Sequence, residues 1–142
     1  MIEAIKTFFA PFMNECDKHL SVGFLGKEVG SMSISPMPKR KTSRTYVDGD
    51  VMQTDTYDLS IRFPYGVTGV PEGIDDVFAA LTAFIRDRNQ NSIFPVFPDG
   101  EIAVSVSCDL PEKPDSIATN SCVFTASIHF TYYKMHQKGS IS

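Results

Sequence analysis

The sequence predicts an α+β fold, a two-layer domain with a mostly antiparallel sheet of about four to five strands and two helices packed on one face. Two segments place apolar residues at three-and-four spacing, which is typical of amphipathic helices. Four other segments alternate apolar and polar residues, which is typical of half-buried strands. Because each segment has one apolar side, a sheet carrying both helices on that side buries all of them at once.

The first helix is predicted from Ile2 to about Leu20, where the apolar residues share one stripe. Pro11 interrupts this segment, so we expect a kink or a helix start near Ala10. The glycines of Val22–Gly30 then predict a loop.

A short strand is predicted at Ser31–Ser35, where Met32 and Ile34 alternate with serines. Pro36 and Pro38 end it, because proline lacks the N–H that a sheet ladder requires. A central strand therefore cannot continue through this stretch.

A β-hairpin is predicted next, with arms at 44–47 and 51–63. Asp48-Gly49 between two extended segments is a strong signal for a tight turn in which both residues take positive φ. The second arm alternates regularly, which predicts a half-buried strand with one face toward water or a partner.

Between the prolines and the turn lie four of the thirteen Lys and Arg residues of the chain: Lys39, Arg40, Lys41 and Arg44. We expect a basic loop that projects from the sheet and becomes ordered on binding, since it offers few apolar contacts. Three interpretations stay open: a solvated charge cluster, a contact to an acidic neighbouring subunit, or a contact to nucleic acid.

The second half of the chain contributes a helix at about 71–90, a strand at 102–108, a long loop at 109–120 and a strand at 122–132. The polar tail 134–142 is expected to be disordered. Nothing divides the chain, so residues 1–142 are predicted to form one domain.

Composition limits the function classes. The net charge of −4 does not favour a general nucleic-acid-binding protein. The three cysteines, Cys16, Cys108 and Cys122, are odd in number and widely spaced, which predicts reduced thiols in a core and folding in a cytosol. Neither a secretion signal nor a membrane span is expected from the sequence.

Catalytic signatures are not found in the sequence. There is no GxSxG, no GxGxxG, no phosphate-binding GxxxxGK[ST] and no Cys/His spacing suited to a metal. His19, His129 and His136 are interpreted as structural or solvated, and Asp48 and Asp50 as turn residues. We therefore expect no enzyme, no cofactor and no metal.

The segment from Ser33 to Tyr57 carries a family resemblance. Ser33-Ile34-Ser35-Pro36-Met37-Pro38, a basic run, Tyr46-Val47-Asp48-Gly49 and a long strand with Tyr57 follow each other in this order. This arrangement resembles the minor-capsid or tail-terminator (tail-completion) proteins of long-tailed bacteriophages. The order of the surrounding helices and strands is similar over most of the chain.

The resemblance implies a structural virion protein, assembled in the host cytoplasm, that caps the tail tube as a hexameric ring and offers a surface for head joining. Its implied partners are further copies of itself, the tail-tube protein and a head-completion or connector protein, with DNA passing through the ring and no membrane. The residues implied to set its shape are Pro36, Pro38, Tyr46, Asp48 and Gly49. The alternatives are a head–tail connector or neck protein and, less favoured, a small cytosolic α+β enzyme or ligand-binding protein.

Overall fold

The computed structural model describes residues 2–16, 20–26, 30–64, 73–95, 101–118 and 120–134. These contain two helices and seven strands: α1 (Ile2–Cys16), β1 (Leu20–Val22), β2 (Met32–Ile34), β3 (Lys39–Thr45), β4 (Val51–Pro64), α2 (Ile74–Gln90), β5 (Glu101–Asp109), β6 (Ser116–Ile117) and β7 (Ser121–Lys134). The predicted α+β class is confirmed, and the sheet is larger than the four to five strands expected.

The centre of the sheet is the antiparallel pair β4–β7. The two strands have 14 residues each and pair without a register shift from Val51↔Lys134 to Pro64↔Ser121. The strand order is β1-β2-β4-β7-β5, and only β1 and β2 pair in parallel among the described strands. All other elements are therefore placed relative to this pair.

Each central strand is flanked on its outer side by two shorter strands in succession. β2 and then β3 pair with β4, and β5 and then β6 pair with β7. Prolines interrupt both flanks, with Pro36 and Pro38 between β2 and β3 and with Pro111 and Pro114 between β5 and β6. A proline cannot donate to the ladder, and edge strands tolerate the resulting breaks.

One core joins both helices to the apolar face of the sheet. Phe8 of α1 lies at its centre, with ring centroids 5.4 Å from Phe84 of α2 and 5.4 Å from Phe130 of β7. Tyr57 of β4 packs edge-on against Phe130 at 5.9 Å. Aromatic pairs at such distances contribute about 0.5–1.5 kcal/mol each beyond their buried area. The expectation that both helices pack on one side of the sheet is confirmed.

A side chain of α2 caps the outer edge of β5. The Asn89 amide accepts a hydrogen bond from the Val106 N–H at 2.8 Å and donates its own N–H to the Val106 carbonyl. One asparagine thus pairs with both backbone groups of an edge residue, in the place where a further strand would bond. The β5 edge is closed to strand addition at this point.

Several sequence-based boundaries need correction. α1 is one continuous helix through Pro11, with its described residues ending at Cys16. β1 forms where a helix end and a loop were predicted, and β6 forms inside the predicted loop 109–120. Both strands have three residues or fewer, too short for a period of two to be detected.

The ends of two predicted elements also differ from those in the structure. α2 begins at Ile74, after Gly73 with φ +81°. Residues 71–72 of the predicted helix lie outside the described residues, as do residues 135–142 of the tail that is expected to be disordered. Lys134, at the start of that tail, is the last residue of β7.

The described cysteine side chains agree with the prediction of reduced thiols in a core. Cys122 is fully buried and Cys108 is half-buried, and both side chains are reduced thiols. Burial raises the pKa of the Cys108 thiol. The side chain of Cys16 lies outside the described residues. Neither described helix is both long and apolar enough to cross a membrane.

We predict that Asn89→Leu destabilises the protein by about 1–3 kcal/mol, because it leaves the Val106 N–H and carbonyl without their partner. Urea unfolding followed by circular dichroism measures the change. Asn91→Ala is the matched control, since Asn91 is exposed and bonds only within its own helix end, to Asp87. The control should change stability by less than about 0.5 kcal/mol. Equal effects of the two variants would contradict the capping role.

Candidate interaction surface

The basic segment forms a strand, so the prediction of a projecting loop is wrong. Lys39–Thr45 forms β3, which pairs antiparallel with β4 from Lys39↔Thr56 to Thr45↔Val51, with an irregularity between Thr42 and Arg44. Among the described strands, only β4 pairs with β3, so β3 is an edge strand. The four cations therefore lie on a fixed backbone. Lysine-rich edges are a common protection against unwanted strand pairing.

Arg40 points to the core face of the sheet and binds a buried carboxylate. Its Nε and Nη2 donate to the two oxygens of Asp55 at 2.9 and 3.0 Å. Asp55 is only 2% exposed, whereas the Arg40 side chain is 52% exposed. The Tyr132 hydroxyl has two acceptors for its proton, Gln53 Oε1 at 2.9 Å and Asp55 at 3.2 Å. The guanidinium lies 5.9 Å from the Tyr132 ring centroid.

This cluster explains how an acidic residue is accommodated on the apolar side of the sheet. A buried carboxylate is costly unless it is paired and hydrogen-bonded, and Asp55 has both kinds of partner. The bond to Asp55 raises the pKa of Arg40, and burial is the main cause that raises the pKa of Tyr132. Arg40 therefore fixes β3 to the sheet and is less available to a partner than the sequence suggested.

Lys39, Lys41 and Arg44 lie on the opposite, polar face. Their register partners on β4 are Thr56, Thr54 and Met52, and all three cations are exposed. None of the three forms an ion pair within the described part of the chain. These three side chains, which we call the cationic edge, remain able to bind an anionic partner.

The hairpin turn that follows β3 differs in type from the prediction. Gly49 has φ +93°, but Asp48 does not take positive φ. The Gly49 N–H bonds to the Tyr46 carbonyl at 3.0 Å, the Tyr46 N–H bonds to the Asp50 carbonyl at 2.8 Å, and Asp48 accepts from the Asp50 N–H at 3.2 Å. This is a three-residue loop closed by a left-handed glycine, in place of a two-residue turn.

The turn is attached to the end of β7. The Tyr133 hydroxyl donates a short hydrogen bond to the Asp50 carboxylate. The Tyr133 ring also lies 5.5 Å from the Tyr46 ring, measured between centroids. The hydrogen bond to Asp50 is the main cause that raises the pKa of Tyr133 to about 12. Tyr46, Asp48 and Gly49 thus take part in the hairpin turn, and Tyr133 supports the turn from the end of β7.

The polar face of the central strands consists of cross-strand pairs of hydroxyl groups. Thr54 and Thr131 are 3.1 Å apart and Ser60 and Thr125 are 3.0 Å apart, between oxygen atoms. Such pairs stabilise a sheet by a few tenths of a kcal/mol up to about 1 kcal/mol. This face supplies donors and acceptors to solvent or to a partner.

His129 lies on this face and joins two polar groups. Its Nδ1 is 2.8 Å from the Thr56 hydroxyl, and its Nε2 is 2.8 Å from an Asp109 carboxylate oxygen. Hydroxyl, imidazole and carboxylate in this order resemble a nucleophilic triad. Thr56 lies between two paired strands, however, so its neighbouring backbone N–H groups are used by the sheet. We interpret the three residues as a hydrogen-bonded group that links β4, β7 and β5 on the polar face.

Sequence reasoning missed Asp55, Tyr132 and Tyr133. One signal could have identified Asp55, because in the alternating pattern of β4 it shares the apolar face with Tyr57. A carboxylate at such a position requires a cationic partner, and the nearest basic run is the one preceding the hairpin. Pro36 and Pro38 lie as predicted, between β2 and β3.

The described residues contain no group of three or more His, Cys, Asp or Glu side chains that could hold a metal ion. Comparison with protein-family models and with curated proteins gives no match for this chain.

We predict that Arg40→Met lowers the free energy of unfolding by about 2–3 kcal/mol, because it leaves the buried Asp55 carboxylate without its cation. Because half of the Arg40 side chain is exposed, the loss in the free energy of unfolding should be smaller than that for breaking a fully buried ion pair. Urea denaturation gives the measurement. Lys41→Met is the control and should change stability by less than about 0.5 kcal/mol. The loss should shrink when Arg40→Met is made in the Asp55→Asn background, and an undiminished loss would contradict the pairing.

We predict that Tyr133 ionises near pH 12, against an ordinary pKa of 10.0. The folded protein holds this proton more tightly than the unfolded chain does. The resulting stabilisation is therefore complete below about pH 10 and is lost as the pH rises through about 12. Absorbance at 295 nm follows the titration, and Tyr133→Phe should remove one late transition. Tyr46→Phe is the control, and loss of the late transition in this variant would show that the assignment is wrong.

Proposed function

We propose that this protein is a structural component of a long-tailed bacteriophage that caps the tail tube as a ring, ends tube polymerisation and provides the surface for head joining. The protein acts by binding and by shape, not as an enzyme. The observation that carries the proposal is the cationic edge: three exposed cations held on a fixed edge strand, next to a hairpin of defined shape. The resemblance of Ser33–Tyr57 to tail-terminator proteins supports the same function.

The stiffness of this region supports a role in assembly. Arg40 and Asp55 hold β3 to the sheet from the core side, and Tyr133 holds the turn through Asp50. The cationic edge is thereby ordered before any partner binds, so association does not have to order a free loop. We propose that it contacts an acidic surface of a neighbouring subunit or the DNA that passes through the ring.

A ring requires a heterologous interface, in which one patch on a subunit binds a different patch on the next. A polar sheet face and a charged edge can supply such contacts without a large exposed apolar patch, which keeps the free subunit soluble. We propose that the ring is a hexamer, found in the virion tail after assembly in the host cytoplasm. Its other partners are the tail-tube protein and a head-completion protein.

A head–tail connector or neck protein is the alternative that the same surface supports. It would use charged edges and a hairpin in a similar way but would bind on the capsid side. Among the described residues, the hydrogen-bonded group of Thr56, His129 and Asp109 is the arrangement that most favours a small enzyme. Electron micrographs of tail tubes assembled with the purified protein separate these alternatives, because only a terminator gives tubes of limited length with a ring at one end.

We predict that Lys39→Ser/Lys41→Ser/Arg44→Ser leaves the fold intact but reduces ring assembly and tail joining. The reason is loss of charge-assisted contacts, so the defect should resemble that of the unmodified protein at high salt. Arg40 is retained because of its bond to Asp55. Unchanged circular dichroism and thermal unfolding would verify the fold, and counting capped tubes would measure function.

Lys6→Ser is the control for loss of positive charge, since Lys6 lies on α1, outside β3. It should assemble as the unmodified protein does. Normal capping by the β3 variant at every ionic strength would count against a binding role for the cationic edge.

A further inference from the structure

The hairpin tip combines an exposed apolar side chain with nearby positive charge. Val47 lies at the tip of the turn between β3 and β4 and is fully exposed. Lys41 and Arg44 precede it on β3 and extend from the polar face of the sheet. An exposed apolar residue at a rigid tip has the form of an anchor for a pocket, and anchors of this kind contribute much of the energy at interfaces.

A groove of about 660 Å³ lies at the opposite end of the molecule. It runs between α2 and the segment that connects β5 to β6. Its floor is apolar, with Phe78 from α2, Phe124 from β7 and Leu110 from the connecting segment. Leu110 is itself exposed.

The rim of this groove is acidic. Asp75 in the first turn of α2 and Glu112 in the connecting segment both line it, and Asp76 is exposed beside Asp75. Arg86 is the one cation among the lining residues. The rim thus carries more negative than positive charge. The hairpin has the opposite balance, with the three cations of the cationic edge against the carboxylates of Asp48 and Asp50.

The two surfaces lie at opposite ends of the central strands. The hairpin turn directly precedes Val51, the first residue of β4, whereas Phe124 of the groove pairs with Ile61, ten residues along the same strand. At a rise of about 3.4 Å per residue, roughly 30 Å separates the two levels. One subunit therefore cannot fill its own groove with its own hairpin, but a neighbour can.

We propose that the hairpin tip of one copy of this chain docks in the groove of the next, with Val47 on the apolar floor and with Lys41 and Arg44 against Asp75 and Glu112. The contact joins two different patches, so it repeats head to tail and can close into a ring. The inference rests on the proposed function in that it identifies the surfaces by which the copies in the ring meet.

The other head-to-tail contact would be sheet continuation, with β3 of one copy adding to β5 of the next. None of the described strands pairs with the outer side of β3, but Asn89 already occupies the outer N–H and carbonyl of Val106 in the middle of β5. The groove is therefore the better acceptor. Its apolar floor and acidic rim match the hairpin in both polarity and charge.

Cysteine cross-linking tests the contact in the full chain. Val47→Cys is mixed with Ala79→Cys, which lines the groove, and oxidised with diamide. Ala10→Cys is the matched control, because Ala10 is also an exposed alanine on a helix. Docking should make the disulfide with position 79 form about tenfold faster or more than with position 10, through the raised effective concentration. Equal rates would overturn the proposal.

A charge exchange gives a second, independent measurement. Lys41→Glu/Arg44→Glu and Asp75→Lys/Glu112→Lys should each fail to assemble alone, since each brings like charges together in the contact. A mixture of the two should recover assembly, because every contact then has opposite charges. Sedimentation velocity and native mass spectrometry measure the species, and assembly of either variant alone at the level of the unmodified protein would overturn the proposal.

The outcomes separate this inference from the proposed function. Closed rings that form equally well with both charge variants would refute the docking geometry and leave the capping function in place. Selective cross-linking at position 79 with no closed ring and no capped tube would confirm the contact and refute the capping function.

Discussion

The register between β4 and β7 is the constraint from which the rest of the structure follows. Fourteen paired residues in each strand place every second side chain on the core face and the others on the polar face, without a shift. A slip by one residue would exchange the two faces over the whole length. This one alignment places Tyr57 and Phe130 in the core. It also places Thr56 and His129 on the polar face.

The same alignment explains why a basic segment can be an ordered strand. β3 contains no apolar residue that could anchor it to the core. Its anchor is electrostatic, because Asp55 occupies a core-face position of β4 directly opposite Arg40. The cost of burying this carboxylate is offset by the guanidinium and by the Tyr132 hydroxyl. Arg40 therefore faces the core side of the sheet, and the other three cations of β3 face the polar side.

Much of the fold could be predicted from the sequence, because the long amphipathic segments are periodic. The alternation along β4 and β7 and the stripe of α2 predicted those elements nearly to their ends. β3 was missed because an edge strand exposed on both faces needs no alternation, and its polar residues therefore resemble a loop. The ion pair of Arg40 with Asp55 spans 15 residues of sequence, so only strand pairing brings it together. The contact of Tyr133 with Asp50 was missed for the same reason.

Asn89 has a consequence for how the protein behaves at high concentration. Stacking of copies into a fibril by strand pairing needs two open edges on every copy, one to receive and one to donate. With Val106 held by an amide of its own chain, one of the two edges is closed at its middle. A copy that adds through β3 would thus present a blocked position on β5 to the next copy, which disfavours further backbone pairing along this edge. A protein present in many copies would gain from such protection against amyloid-like aggregation.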